Sequence, residues 1–292
     1  MPEHTEEKPK KKKPIIAVYS LSCCEGCQVA IINQGTKFIE LFDYIDLGDM
    51  MLVEEQKDVP HYDVAFIEGT PLTKENIEHI KHIREKSTYV ITLGNCATHG
   101  NYQGIKNYRD KEAAMRYVYE KPRGIDNFEV KSIDQYIKVD FYLYQCPLNA
   151  EEFLRFVYAL VNGRAPQIPQ RPVCYECQIN GTDCLFHKGE MCLGPMVLGG
   201  CNAPCPSDGH YRCEACRTVL IGAPVLNMER KLFSGIATKE HLEETLEKFS
   251  MKEDWKNTRI ILTGSSMNKL FDGKTRVPVG RIEYLTVRPF SF

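Results

Sequence analysis

Residues 15–32 read IIAVYSLSCCEGCQVAII. The run Ile15 to Tyr19 is short and rich in β-branched residues, which is a strand pattern. Directly after it, Cys24-Glu-Gly-Cys27 opens a stretch in which Val29, Ile32, Phe38, Leu41 and Phe42 recur at helical spacing. A helix over Cys27 to Phe42 is expected. A strand that hands a cysteine pair to the start of a helix is the unit from which the rest of the chain is read.

The same unit recurs. Val64 to Ile67 is a buried-type strand ending in Glu68-Gly69. Thr73 caps a helix through Lys86, with Ile77, Ile80 and Ile83 on one face. Tyr89 to Leu93 is a third strand, ending in Gly94, and Ile137 to Tyr144 a fourth, ending in Cys146-Pro147. Glu151 to Val161 is a helix stopped by Asn162-Gly163. Strands alternating with helices imply an α/β fold with a parallel sheet covered on both faces. Asn101 to Gln135 breaks the alternation; it reads as a polar excursion with one helical stretch, Ala113 to Val118.

Three strands therefore deliver cysteines at their carboxyl ends: Cys24 and Cys27, Cys96, and Cys146. Ligands of open α/β sheets bind at that edge. Four thiolates there suit an iron–sulfur cluster or zinc. Gly26, Gly94 and Gly100 let backbone N–H groups come close, and the helix beginning at Cys27 turns its positive end to the site. The plainer alternative makes Cys96 and Cys146 small buried hydrophobes. Cys23 is read as a spare thiol.

Thirteen cysteines in 292 residues is the informative count. The N-terminus is charged, with no apolar segment after it, so no export signal is read and the chain is expected in the cytoplasm. Thiols stay reduced there, and dense cysteines then point to metal rather than disulfides. A net charge of −2 gives no sign of nucleic acid or an anionic membrane, although Lys10 to Lys13 form a basic run. No apolar run reaches the roughly 20 residues of a membrane span.

Eight further cysteines lie between Val173 and Arg217, in a stretch rich in Gly and Pro with little periodicity. Such a segment orders around metal rather than around a core. The gaps divide it into Cys174, Cys177, Cys184, Cys192 and then Cys201, Cys205, Cys213, Cys216; interleaving stays open. Zinc competes with iron–sulfur here, since CxxC pairs also make zinc ribbons. A zinc-bearing module would leave a binding function, for nucleic acid among others; against that, Val173 to Gly200 carries only Lys188 as a lysine or arginine. The expected organisation is a disordered basic tail (1–13), an α/β domain (14–165), an iron–sulfur domain (166–220) and a C-terminal extension (221–292) with a helix over Thr238 to Phe249.

The ordered motifs Ser22-Cys-Cys-Glu-Gly-Cys27-Gln28, Phe66-Ile-Glu-Gly69, Gly94-Asn-Cys96-Ala-Thr-His-Gly100, Tyr144-Gln-Cys-Pro147, Pro172-Val-Cys174-Tyr-Glu-Cys177, Cys192-Leu-Gly-Pro195 and Gly200-Cys201-Asn-Ala-Pro-Cys205-Pro206 resemble the small subunit of [NiFe] hydrogenases. Within that family they are most similar to the delta subunit of cytosolic sulfhydrogenases and its methanogen relatives. The resemblance implies a flavodoxin-like N-terminal domain. It implies three clusters: a proximal one on Cys24, Cys27, Cys96 and Cys146, a medial one on Cys201, Cys205, Cys213 and Cys216, and a distal one on Cys174, Cys177, Cys184 and Cys192. Membrane-linked relatives carry histidine where Cys174 stands and often proline in place of one medial cysteine. With thiolates at all positions, three [4Fe–4S] clusters are expected. Cys23 makes a tandem pair resembling the cluster subunit of respiratory complex I, which lacks the CxxC spacing and the eight-cysteine segment.

The implied role is electron relay, with H2 chemistry at a NiFe centre on a separate large subunit. The implied partner beyond it is a flavin subunit using NAD(P), or a protein of ferredoxin or heterodisulfide-reductase type. No GxGxxG follows a strand, so no nucleotide site is expected on this chain. Glu25 and Glu68 sit beside the proximal ligands, suited to proton movement or contact with the large subunit, the plainer alternative being loop carboxylates satisfied by backbone N–H groups; His99 follows Cys96, suited to donate to a sulfur or to the subunit interface, the plainer alternative being an ordinary satisfied histidine. His187 and His210 have no ligand vacancy to fill. Tyr284 to Phe292 is an aromatic end suited to docking or to packing on its own domain.

Overall fold

The structure is a computed structural model that describes residues 12–53, 59–108, 110–126, 128–190, 192–209, 211–218 and 220. Most of the expected basic tail, His210, and the whole extension 221–292 with its expected helix and aromatic end lie outside the described residues. The chain divides into two compact units, one of residues up to 103 with 123–167, the other of 104–122 with 168 onward.

The first unit is a five-stranded, wholly parallel sheet in the order β2-β1-β3-β4-β5. Its strands are β1 (Ile15–Ser20), β2 (Asp46–Met50), β3 (Tyr62–Glu68), β4 (Ser87–Leu93) and β5 (Phe141–Leu143). This is the flavodoxin order, and it reverses direction between β1 and β3, leaving a crevice at their carboxyl ends. Strands covered on both faces read as continuous apolar runs, and Val64 to Ile67 is buried throughout.

Alternation sorts these strands between two layers. Phe66, Ile91 and Leu93 face α1 (Gly26–Ile32), α2 (Thr36–Leu41) and α7 (Ala150–Val161), where Ile31, Leu41, Phe153 and Phe156 complete the core. Ala65, Ile67 and Val90 face the other way, onto Ile80 and Ile83 of α3 (Lys74–Lys86) and Ala97 of α4 (Gly94–His99). Between α4 and α7 in the chain come α5 (Asn101–Gly104) and α6 (Lys111–Val118).

Local chemistry fixes the helix ends. Thr73 accepts a hydrogen bond from Asn76 N at 3.1 Å, and α3 carries Glu75 in its first turn and Arg84 and Lys86 in its last. Asn149 caps α7 by accepting from the N–H groups of Glu151 and Glu152. The single helix expected over 27–42 is instead two, because Gly35, at φ 57°, turns the chain between α1 and α2. β2 was not legible as a strand; Asp46-Leu-Gly-Asp-Met50 has weak strand propensity and is held as an edge by pairing with β1. Of the strand expected over 137–144, only three residues pair; Ile137 and Val139 instead pack beneath α3.

Asp140 ties β4 and the loop before β5 to the end of α3. Its carboxylate meets Arg84 at 2.6 Å and accepts from Val90 N at 2.9 Å. Burial pushes the Asp140 pKa up, but the Val90 N–H and the Arg84 and Lys138 charges outweigh it and hold the group below its ordinary value. The stabilisation is therefore present above pH 3.8 and is lost as pH falls through the depressed folded pKa. Asp140→Asn is expected to cost about 1–3 kcal/mol near neutral pH. Urea unfolding of both proteins from pH 7 to pH 2 checks this: the gap should close toward the acid end, and a gap independent of pH would refute it.

The second unit contains α8 (Val173–Ile179) and α9 (Pro204–Ser207) with 3-10 turns between them. Its core is small: Val173, Leu193, Met196 and Val197 pack with Cys192 and Cys213. Among the described residues no helix is long and apolar enough to cross a membrane.

Candidate metal centre

All thirteen cysteines are free thiols. Four of them meet at the carboxyl edge of the first unit's sheet. Cys24 is exposed in the turn after β1, and Cys27 is buried in the first turn of α1. Cys96 is half-buried in α4, which follows β4 without a loop. Cys146 is exposed in the turn after β5, where its peptide bond to Pro147 is cis.

Backbone and side-chain bonds hold these segments in register. Asn95 N donates to Gln145 O at 3.2 Å, and Asn95 Oδ1 accepts from Gln145 N at 2.7 Å. This two-way clasp joins the Cys96 helix to the Cys146 turn, although Gln145 sits at φ 103°. Thr70 Oγ1 donates to Cys96 O at 2.7 Å. Gly94, at φ 77°, leaves a space that a Cβ would fill; that atom would lie 2.5 Å from Cys27 Sγ.

Glu68 ends β3 and is 2% exposed. Its two carboxylate oxygens accept from Cys27 N at 3.1 Å and Gln28 N at 3.3 Å. Two N–H groups of the first turn of α1 are thus taken by the Glu68 carboxylate. Glu25 stands at φ 59° and accepts from Ser20 Oγ at 3.0 Å. Cys23 has its own partners, Ser20 Oγ at 3.3 Å and Leu21 O at 3.7 Å. The His99 ring stacks on Tyr144, with centroids 5.7 Å apart.

In the second unit, Cys174 and Cys177 lie on α8, and Cys184 directly precedes the 3-10 turn that follows. With Cys192 they line one cavity, closed by Phe186 and Pro206. Cys213 is buried, and burial first, then the neighbouring Cys192, Cys216 and Cys201 sulfurs, hold its thiol pKa well above the ordinary value. Cys205, on α9, is hydrogen-bonded by Tyr211, whose hydroxyl pKa is pushed up to about 12 by that bond. The two blocks adjoin: Cys213 N donates to Cys192 Sγ at 3.3 Å, and Leu193 N to Cys213 O at 3.2 Å. His187 is exposed.

Glu176, between Cys174 and Cys177, is 4% exposed. It accepts from Gly200 N at 2.6 Å, Asn202 N at 2.8 Å and Arg171 at 3.2 Å, with the Cys201 thiol at 3.6 Å. Asn202 and Ala203 have φ of 64° and 50°, so this carboxylate holds a strained turn beside Cys201. Neither Glu176 nor the Asn95 clasp was foreseen. Glu176 occupies a spacer position of a CxxC motif, where any residue fits the pattern.

The thiol environments test whether these residues suit a cluster. Burial pushes the Cys27 and Cys213 thiols up, Cys96 to about 11 and Cys201 to about 12. Buried thiols of this kind become thiolates when a cation compensates them. Among the described residues no three His, Cys, Asp or Glu are placed to hold a single metal ion. All-sulfur donor groups around glycine-lined spaces fit a polynuclear iron–sulfur group.

Comparison with known proteins gives the family. Residues 24–160 match the family described as NADH ubiquinone oxidoreductase, 20 Kd subunit. Sulfhydrogenase 2 subunit delta of Pyrococcus furiosus is 33% identical, over 69% of this chain and 85% of its own length. One subunit of the F420-non-reducing hydrogenase vhu of Methanocaldococcus jannaschii is 30% identical, over 69% and 80%. A [NiFeSe]-hydrogenase chain of Dm. baculatum shares the fold at a TM-score of 0.51 and 15% identity, over 70% of this chain and 94% of that one. On this extent of shared sequence and fold, the chain belongs to the hydrogenase small-subunit family that includes the delta subunit of sulfhydrogenase 2 and its counterpart in F420-non-reducing hydrogenase.

Proposed function

We propose that this chain is the electron-relay subunit of a cytoplasmic [NiFe] hydrogenase. Residues 14–165 carry the proximal cluster on Cys24, Cys27, Cys96 and Cys146. Residues 166–220 carry the medial cluster on Cys201, Cys205, Cys213 and Cys216 and the distal one on Cys174, Cys177, Cys184 and Cys192. The observation that carries the reading is the meeting of four thiols from β1, β4 and β5 at one sheet edge. The cavity lined by Cys174, Cys177, Cys184 and Cys192 supports sequential rather than interleaved blocks.

Bound [4Fe–4S] clusters supply one-electron carriers. The chain's own residues do the rest. Glu68 fixes the α1 turn that presents Cys27, and the Asn95 clasp fixes Cys96 against Cys146. Apolar burial keeps water from Cys27 and Cys213. The Cys213 N–H to Cys192 Sγ bond gives the two ligand blocks of the second unit a direct link. H2 is split on a large subunit bearing the NiFe centre, and electrons leave to a flavin/NAD(P) or a ferredoxin- or heterodisulfide-reductase-type partner.

Anaerobic iron, sulfide, nickel and zinc analysis of the purified complex tests this. The expected result is about twelve iron and twelve sulfide per copy of this chain, with nickel from the co-purifying large subunit. About two or three zinc without sulfide would overturn the relay and leave a structural metal module.

A further inference from the structure

Asn101 stands directly after Gly100, and the two take φ of 38° and 80°. Two residues of positive φ in succession turn the chain between the end of α4 and α5. Asn is among the few side-chain-bearing residues that tolerate this region. The turn is pinned from beyond, since Gln103 Nε2 donates to Ser22 O at 2.9 Å, next to the Cys23-Cys24 pair.

The result is that one carboxamide nitrogen reaches two ligand sulfurs. Asn101 Nδ2 lies 3.3 Å from Cys146 Sγ and 3.7 Å from Cys96 Sγ. An amide nitrogen carries two hydrogens, one for each sulfur. A cluster-bound thiolate only accepts, so with a cluster in place the amide nitrogen rather than the oxygen belongs against these sulfurs. The sulfurs come from different strands, one after β4 and one after β5.

Resting on the reading that Cys24, Cys27, Cys96 and Cys146 hold a cluster, we propose that Asn101 is a positioning residue that donates to both Cys96 and Cys146 sulfurs and raises the reduction potential of that cluster. Reduction adds negative charge to the cluster and its sulfurs. Donor hydrogens aimed at those sulfurs stabilise the reduced form more than the oxidised one. Removing them lowers the potential, and replacing them with a carboxylate lowers it further.

The test is an EPR-monitored redox titration of the intact, anaerobically purified complex carrying N101A, N101D or N101S, with iron measured on each. The expected result is one potential shifted negative in N101A and further negative in N101D, with the others unmoved and iron unchanged. Should N101A lose iron, N101S, which keeps one O–H donor, decides: a smaller negative shift of one potential supports the proposal. Unmoved potentials in an iron-replete N101A or N101S overturn it and leave the relay reading standing, and so does a common shift of every potential. A wild-type complex with no cluster signal overturns both.

Discussion

Gly94→Ala is expected to remove the first metal site while leaving the sheet folded. The added Cβ would stand 2.5 Å from Cys27 Sγ and 3.4 Å from Gln145 O, on a backbone at φ 77°. Cys27 is buried and Glu68 holds its backbone N–H, so the clash is relieved chiefly by turning Sγ out of its present place, which withdraws it from the site. The left-handed backbone costs about 1–2 kcal/mol and the overpacking about 1–3 kcal/mol more. That strain falls on the start of α4, which carries Cys96 and the Asn95 clasp. Roughly four of about twelve iron should be missing, and H2-driven reduction of any acceptor should fall to background. Gly124, at φ 85° with nothing within 4 Å of the place its Cβ would take, is the control: Gly124→Ala carries the backbone strain alone and should keep its iron. A Gly94→Ala complex with full iron and full activity would refute the cradle.

Glu176→Ala has the second large effect, in the other unit. It leaves the buried N–H of Gly200 without its acceptor, at about 1–3 kcal/mol, and gives up the part-buried bond from Asn202 N, whose N–H can turn to water at a smaller cost. The link to Arg171 adds little, because that side chain is 43% exposed. The released turn holds Cys201, and α8, on which Glu176 sits, holds Cys174 and Cys177. Both second-unit blocks should therefore lose iron, leaving roughly four per chain. Glu176→Gln offers one oxygen where two worked and should retain an intermediate amount. Full iron and an unchanged unfolding midpoint in Glu176→Ala would remove the carboxylate from this role.

What the sequence disclosed followed the strength of local signals. Ile15 to Tyr19, Val64 to Ile67 and Thr73 to Lys86 combine apolar period with clear ends, and each forms the expected element. Cysteine positions at strand ends were equally plain, because strand and cysteine are both visible in one dimension. The break at Gly35 was not, since apolar spacing continues across it. Edge strand β2 depends on its neighbour rather than on its own residues. Asn95, Asn101 and Glu176 were missed for a common reason: each acts on a partner brought close by folding, Gln145 at 50 positions away, Cys146 at 45 and Cys201 at 25. Glu68 was noticed from its motif, but its bond to the start of α1 spans 41 positions.

The largest fully buried side chains, from Ile16 and Phe66 to Leu143, all belong to the first unit. Among the described residues the second unit has none of them; its interior is a short set of aliphatic side chains, among them Val173, Leu193 and Met196, packed with cysteine sulfur. This asymmetry sets an order of maturation. A newly made chain can close its sheet by apolar burial and offer a preshaped receptor for the first cluster. On the proposed reading the other cysteines have no comparable scaffold, so there iron and sulfide would be structural components, and delivery of inorganic material would itself be the last step of folding. Iron starvation would then act as a conformational defect confined to one half of the molecule.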